Sequence, residues 1–159
     1  MRGASLPTAR SEIAGAALDG KIYVIGGFDN SGRSSDSVEV YDLIADNWTT
    51  GEPLPQPLDH TAAASFGGKL YVVGGGYLNR ADLSDKLFIY DPSTKSWTEG
   101  ANLPSARGAL TANFINGILY VVGGVDSTVT LTSTLAYDPA TNKWTEKAPM
   151  PTAREHLTS

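Results

Sequence analysis

Lys21-Ile22-Tyr23-Val24-Ile25-Gly26-Gly27 returns as Lys69-Leu70-Tyr71-Val72-Val73-Gly74-Gly75 and again as Ile118-Leu119-Tyr120-Val121-Val122-Gly123-Gly124. Each copy is a short run of aliphatic, β-branched and aromatic residues stopped by paired glycines. In front of the copies stand Asp19-Gly20, Gly67-Gly68 and Asn116-Gly117, dipeptides that supply the positive φ angles of a two-residue hairpin turn. Gly26 and Gly74 lie 48 positions apart, and Gly74 and Gly123 lie 49 apart. A period of this size marks a chain built of repeated structural units.

Working outward, each unit opens with a Leu/Met-Pro step, at Leu6-Pro7, Leu54-Pro55, Leu103-Pro104 and Met150-Pro151. A first strand rich in small residues is expected over 13–18, 61–66 and 109–115, and the glycine-terminated stretch is the second. After a variable loop comes a third strand ending in Tyr41-Asp42, Tyr90-Asp91 or Tyr137-Asp138. In Val38-Glu39-Val40-Tyr41 the two valines fall on one face and Glu39 and Tyr41 on the other. Six residues after each Asp come Trp48, Trp97 and Trp144, opening a fourth strand. The chain reads as one all-β domain over 1–159, with repeats at approximately 6–53, 54–102 and 103–149 and the start of a fourth at 150–159. Four short antiparallel strands per unit, repeated, are the pattern of a propeller blade. Runs such as Ala62-Ala63-Ala64 suit the innermost strand, where backbones crowd round an axis. The tryptophans are expected to be interior, and the paired glycines to let a neighbouring ring approach the backbone.

Composition narrows the function. The net charge of −5 argues against a nucleic-acid surface, which needs a basic stripe. The absence of cysteine excludes disulfides, thiolate metal sites and thiol redox chemistry. No run approaches the roughly 18 apolar residues of a membrane-spanning helix, and no apolar segment of the signal-peptide kind follows Met1. Neither a compartment nor a cofactor is indicated.

The double glycine, the Tyr-Asp with Trp six residues on, and the arginine in the opening segment (Thr8-Ala9-Arg10, Ser105-Ala106-Arg107, Thr152-Ala153-Arg154) together resemble the kelch-repeat family of β-propellers, over essentially the whole chain. Leu58 departs from the arginine pattern in the second unit, and Gly76 adds a third glycine there. The resemblance implies a kelch-type propeller segment of three four-stranded antiparallel blades and, by analogy with the family, an interaction module. It also admits a sugar-acting enzyme akin to a sialic-acid epimerase, for which Arg10, Glu12, His60, Arg107, Glu155 and His156 converge by register. A copper radical oxidase of the same family is excluded, because its cross-linked cofactor needs a cysteine. No catalytic constellation is identified.

Antiparallel order puts the opening segments and the loops after the double glycines at one end, and the hairpin and Asp-to-Trp turns at the other. The turns are nearly uniform and the loops are not, and divergent loops on a rigid scaffold are where recognition tends to reside. A protein or peptide ligand is therefore expected on the loop face, at Arg10, Asp29, Asn30, Arg33, Asp36, His60, Tyr77, Asn79, Arg80, Asp82, Arg107, Asp126 and Arg154. The arginines carry two readings: bonds to carbonyls or carboxylates of the next blade, or donors for an acidic ligand. His60 and His156 sit at equivalent repeat positions, which favours a structural role, and no close carboxylate–histidine cluster in the sequence supports a metal.

Three blades turning the ring by about 60° each make half a circle. Repeat units bury their faces only against neighbours, so a homodimer closing a six-bladed ring is expected. The tail of one chain would then meet the start of its partner, with 156–159 displaced at the seam.

Overall fold

The computed structural model describes residues 3–76 and 82–157; Tyr77, Asn79 and Arg80 of the expected binding face lie outside them. Twelve strands follow in order among the described residues: β1 (Ala14–Leu18), β2 (Lys21–Ile25), β3 (Val38–Asp42), β4 (Asn47–Thr50), β5 (Ala62–Phe66), β6 (Lys69–Val73), β7 (Leu87–Asp91), β8 (Ser96–Glu99), β9 (Thr111–Ile115), β10 (Ile118–Val122), β11 (Thr134–Asp138) and β12 (Lys143–Lys147). They form three four-stranded antiparallel meanders, β1-β2-β3-β4, β5-β6-β7-β8 and β9-β10-β11-β12. The innermost strands are neighbours, β1 against β5 and β5 against β9. Small side chains on β1 and β5 permit this approach, and Ser65 Oγ donates across it to the Ala17 carbonyl at 2.6 Å.

The pleat of the middle blade sends alternate residues into two different cores. Leu70, Val72, Phe88 and Tyr90 pack towards the first blade, against Tyr23, Ile25, Val38 and Val40. Tyr71, Val73 and Leu87 pack towards the third, against Leu119, Val121, Leu135 and Tyr137. A one-residue slip of any strand would exchange these sets, so burial pins the register.

Each tryptophan ring lies 5.0–5.1 Å from the tyrosine of its own blade. Its indole N–H donates to the preceding outer segment, Trp48 to the Ala4 carbonyl, Trp97 to that of Glu52 and Trp144 to that of Ala101. The rings are only half-buried, contrary to the interior place expected. The indole has one polar edge, and here that edge clips the outer rim of one blade to the next while the apolar face covers the core.

The paired glycines serve a different approach from the one expected. The second glycine of each pair donates its N–H to a carbonyl in the opening segment of the following unit: Gly27 to Leu58 at 2.8 Å, Gly75 to Arg107 at 2.8 Å and Gly124 to Arg154 at 2.9 Å. A Cβ on the first glycine would collide with that same oxygen, and the first glycines hold φ of 63°, 66° and 62°. A main-chain carbonyl, not an aromatic ring, demands the missing side chain.

Gly74→Ala should therefore combine left-handed strain with a clash against the Arg107 carbonyl and cost roughly 3 kcal/mol. Gly32 has a similar φ of 74° with nothing close to its Cβ position, so Gly32→Ala should cost about 1 kcal/mol. Urea denaturation of both variants measures the gap; equal losses would show that the interblade carbonyl is not what constrains Gly74.

Candidate functional site

The opening segments and the post-glycine loops are hydrogen-bonded at one end of the arc. Ser11 and Phe28 exchange backbone bonds, as do Gly108 and Val125. Two of the three opening arginines are turned into the fold from there. The Arg10 side chain is fully buried. It donates to the carbonyls of Gly26 and Ser37 and to the Glu39 carboxylate at 2.7 Å. Glu39 stands where the other blades place Phe88 and Leu135, so this buried carboxylate and Arg10 come as a pair. Arg107 donates to Ser105 Oγ and Ser133 Oγ, each at 2.8 Å; burial pushes its pKa down, against the opposing fields of Asp126 and Glu146. Both guanidiniums serve their own blade, not its neighbour. Leu58 fills the corresponding place in the second unit with an apolar side chain. Arg154 is exposed.

The variable loops of the first and third blades are braced by their own aspartates. Asp29 Oδ1 accepts from the backbone of Ser31 and Arg33 and from Ser31 Oγ. Asp126 Oδ1 accepts from Thr128 and Val129 in the same way. These bonds favour the ionised carboxylate, and both groups are held below the ordinary aspartate range. Asn30, Arg33, Asp36 and Asp82 are exposed around these frames, and Asp126 is half-buried.

Inside the loops runs a tighter feature. Glu12, His60, Ala109 and His156 each stand five residues after the proline of their unit. All four adopt left-handed backbone, with φ between 48° and 54°. His60 N donates to the Glu12 carbonyl, Ala109 N to that of His60, and His156 N to that of Ala109, at 2.8–3.1 Å. The main chain thus forms a ladder at the loop end of the innermost strands. His60 Nε2 lies 3.3 Å from Glu12 Oε2, and the two imidazole centroids are 5.1 Å apart. His60 Nδ1 meets Asp59 Oδ1 at 2.7 Å, and Ser34 Oγ donates to the other Asp59 oxygen. Burial raises the Asp59 pKa, but the bonds from His60 and Ser34 outweigh it and the net shift is downward. Phe28 packs edge-on to the His60 ring, and Glu12, His60, Ala109 and His156 help to line an open cavity of about 220 Å³.

The sequence offers no close carboxylate–histidine cluster in support of a metal but sets these residues at one end by register, and the structure brings Glu12 beside the two histidines there. Glu12, His60 and His156 offer three ligand atoms all within 4.8 Å of one another. Glu12, absent from the expected binding face, belongs with the histidines. The signal was its distance from Pro7, which matches that of His60 from Pro55 and of His156 from Pro151.

Three four-stranded meanders, packed face to face with their first strands innermost, define an arc of a kelch-type β-propeller. Residues 2–158 match the family described as the KLHDC2/KLHL20/DRC7 Kelch-repeats domain, and the chain belongs to that family. Beta-scruin of Limulus polyphemus and the F-box/kelch-repeat protein At1g67480 of Arabidopsis thaliana are each 45% identical over 74 residues. That stretch is 46% of this chain but only 8% and 20% of those proteins. Human Kelch-like protein 35 is 40% identical over 72 residues, 45% of this chain and 12% of that protein. The fold is also that of the solved structure titled "Structure of YjhT", with a TM-score of 0.82 at 19% identity, over 96% of this chain and 56% of that one.

The turn-bracing aspartates give stability a defined pH dependence. Asp29 and Asp126 are lowered, and at the opposite end Asp91, bonded by Ser93, is lowered to about 2. Groups depressed on folding contribute stability that is complete above the unfolded value of about 4 and is lost as pH falls through the folded values. The urea midpoint should hold steady from about pH 7 to 5 and fall between about pH 4 and 2. Asp91→Asn should shallow that fall; a midpoint that rises on acidification would contradict the assignment.

Proposed function

We propose that the loop-bearing end of this arc is a recognition surface for a protein or peptide partner. The reading rests on one contrast. The far end repeats a single device, an aspartate capping its own turn, as Asp42 does for Ile44 and Ala45 and Asp91 for Ser93. The loop end carries similarly braced frames on the first and third blades, whose exposed residues differ. Bracing lowers the ordering cost of binding, and variation supplies specificity. Arg33, Asp36, Asp82 and Arg154 are among the exposed charges of this face. Family membership supports the same reading by analogy. The sugar-enzyme alternative is weaker, because Arg10 and Arg107, which it would need in the open, are spent inside their blades.

The test is selection of a displayed random-peptide library against the whole chain. Arg33→Glu and Arg154→Glu should cut capture of the selected peptides by tenfold or more, while Lys95→Glu and Lys143→Glu, on the far turns, should leave it unchanged. The reverse pattern would place recognition on the other end.

The outer flanks support a second copy as the structural partner. Ile22 is 37% exposed on the first blade, where the equivalent Leu70 and Leu119 are fully buried. On the third blade Tyr120 and Val122 are only half-buried, where Tyr71 is 6% exposed and Val73 not at all. Surfaces that are core in the middle blade call for cover on the outer two. A twofold arrangement in which the first blade of each chain packs on the third of the other would supply it. Light scattering should return twice the chain mass at micromolar concentration; a folded monomer would overturn the dimer without touching the loop-face reading.

A further inference from the structure

We propose that Glu12, His60 and His156 bind a divalent transition cation of the zinc class at the loop end of the innermost strands, beside the recognition loops. Two imidazoles and a carboxylate are a donor set that suits zinc; magnesium and calcium favour oxygen throughout. The spacing is close to what a metal needs. Neighbouring ligands of a tetrahedral zinc ion stand about 3.4 Å apart. His60 Nε2 and Glu12 Oε2 are at 3.3 Å, with all three donors inside 4.8 Å. The side chains of Glu12 and His156 are 45% and 42% exposed, so both can close in on a fixed third ligand.

His60 is that fixed ligand. Its side chain is only 5% exposed, and its Nδ1 is engaged by Asp59, which Ser34 in turn holds. A carboxylate that accepts a hydrogen bond from Nδ1–H orients the ring and leaves the Nε2 lone pair for a metal, the arrangement that supports metal-bound histidines generally. Here Nε2 is the nitrogen directed at Glu12. The backbone is fixed as well, because the hydrogen-bond ladder holds Glu12, His60 and His156 in one left-handed conformation. Ala109, between His60 and His156 on that ladder, carries no bulk that would keep the donors apart. Three protein ligands leave a further coordination position for solvent. The ion would also tie the first blade, the second blade and the segment after the third into one unit, and the site is that of the single chain, because closing a two-chain ring would set the partner's opening segment where His156 lies.

The test uses the whole chain without a histidine tag, stripped of metal with a chelator and titrated with Zn²⁺ by calorimetry. One ion per chain is expected, with a melting temperature that rises with Zn²⁺ concentration. Glu12→Gln and His156→Asn should each weaken binding by tenfold or more; both side chains are exposed, and Asn tolerates the left-handed backbone at position 156. Asp59→Asn, which leaves all three ligands in place, should weaken it about 10–100-fold. Circular dichroism of each variant checks that it has folded. No heat and no thermal shift in the folded wild-type chain, as a plain Glu12–His60 ion pair would give, would overturn the site. Affinity unchanged by both ligand variants would overturn it as well, assigning the ion to scattered surface carboxylates.

Discussion

The fold depends on one main-chain bond, repeated. The second glycine of each blade gives its N–H to a carbonyl in the opening segment of the next unit, and the first glycine must be bare so that the carbonyl can come so close. A side-chain contact in this place could be lost to a single substitution of either partner. A backbone bond depends only on the conformation of the chain, and glycine is the residue that reaches it without strain. Once the bond is made, the hydrophobic faces of adjacent blades are brought into register. The two apolar cores then form between blades and not within them.

Around that bond the residues divide their work by radius. Small side chains on β1 and β5 let the innermost strands β1, β5 and β9 lie side by side. Aliphatic and tyrosine side chains of the middle strands fill the space between blades. At the rim, the indoles of Trp48, Trp97 and Trp144 cross to the preceding segment. Asp46 and Asn142 add to this, each accepting from the tyrosine hydroxyl of its own blade and from a backbone N–H of the preceding segment. Lys95 holds the corresponding left-handed position in the middle blade. Polar closure at the rim and apolar closure inside let a thin, four-stranded blade stay ordered although it buries few residues within itself.

Most of this was legible in the sequence because the repeat is regular. Hairpin dipeptides, β-branched runs and glycine pairs recur in fixed order, and local signals that agree three times leave little freedom in the strand assignment. What was harder to read was direction in three dimensions. The sequence could place Arg10 and Arg107 at the loop end, but not show that they fold back to carbonyls and serines of their own blades. The half-exposed tryptophans were over-buried by an expectation based on residue type. Glu12, His60 and His156 are separated by whole blades, and only the left-handed ladder at the loop end brings their donors together. Register already sets the three at the same end of the units; what it could not give is how close their donor atoms come.

That ladder has a consequence for how such a molecule can change. Its rungs are peptide groups, so blade placement asks of positions 12, 60, 109 and 156 only that they tolerate φ near 50°. They are occupied by Glu, His, Ala and His, three residue types with almost nothing chemically in common. The bearing surface of the wheel is thus decoupled from what is mounted on it. An acid, a base, a ring or a gap can be set at the hub, one blade at a time, without retuning the sheets behind it. New chemistry can be tried at the axis at small cost to folding.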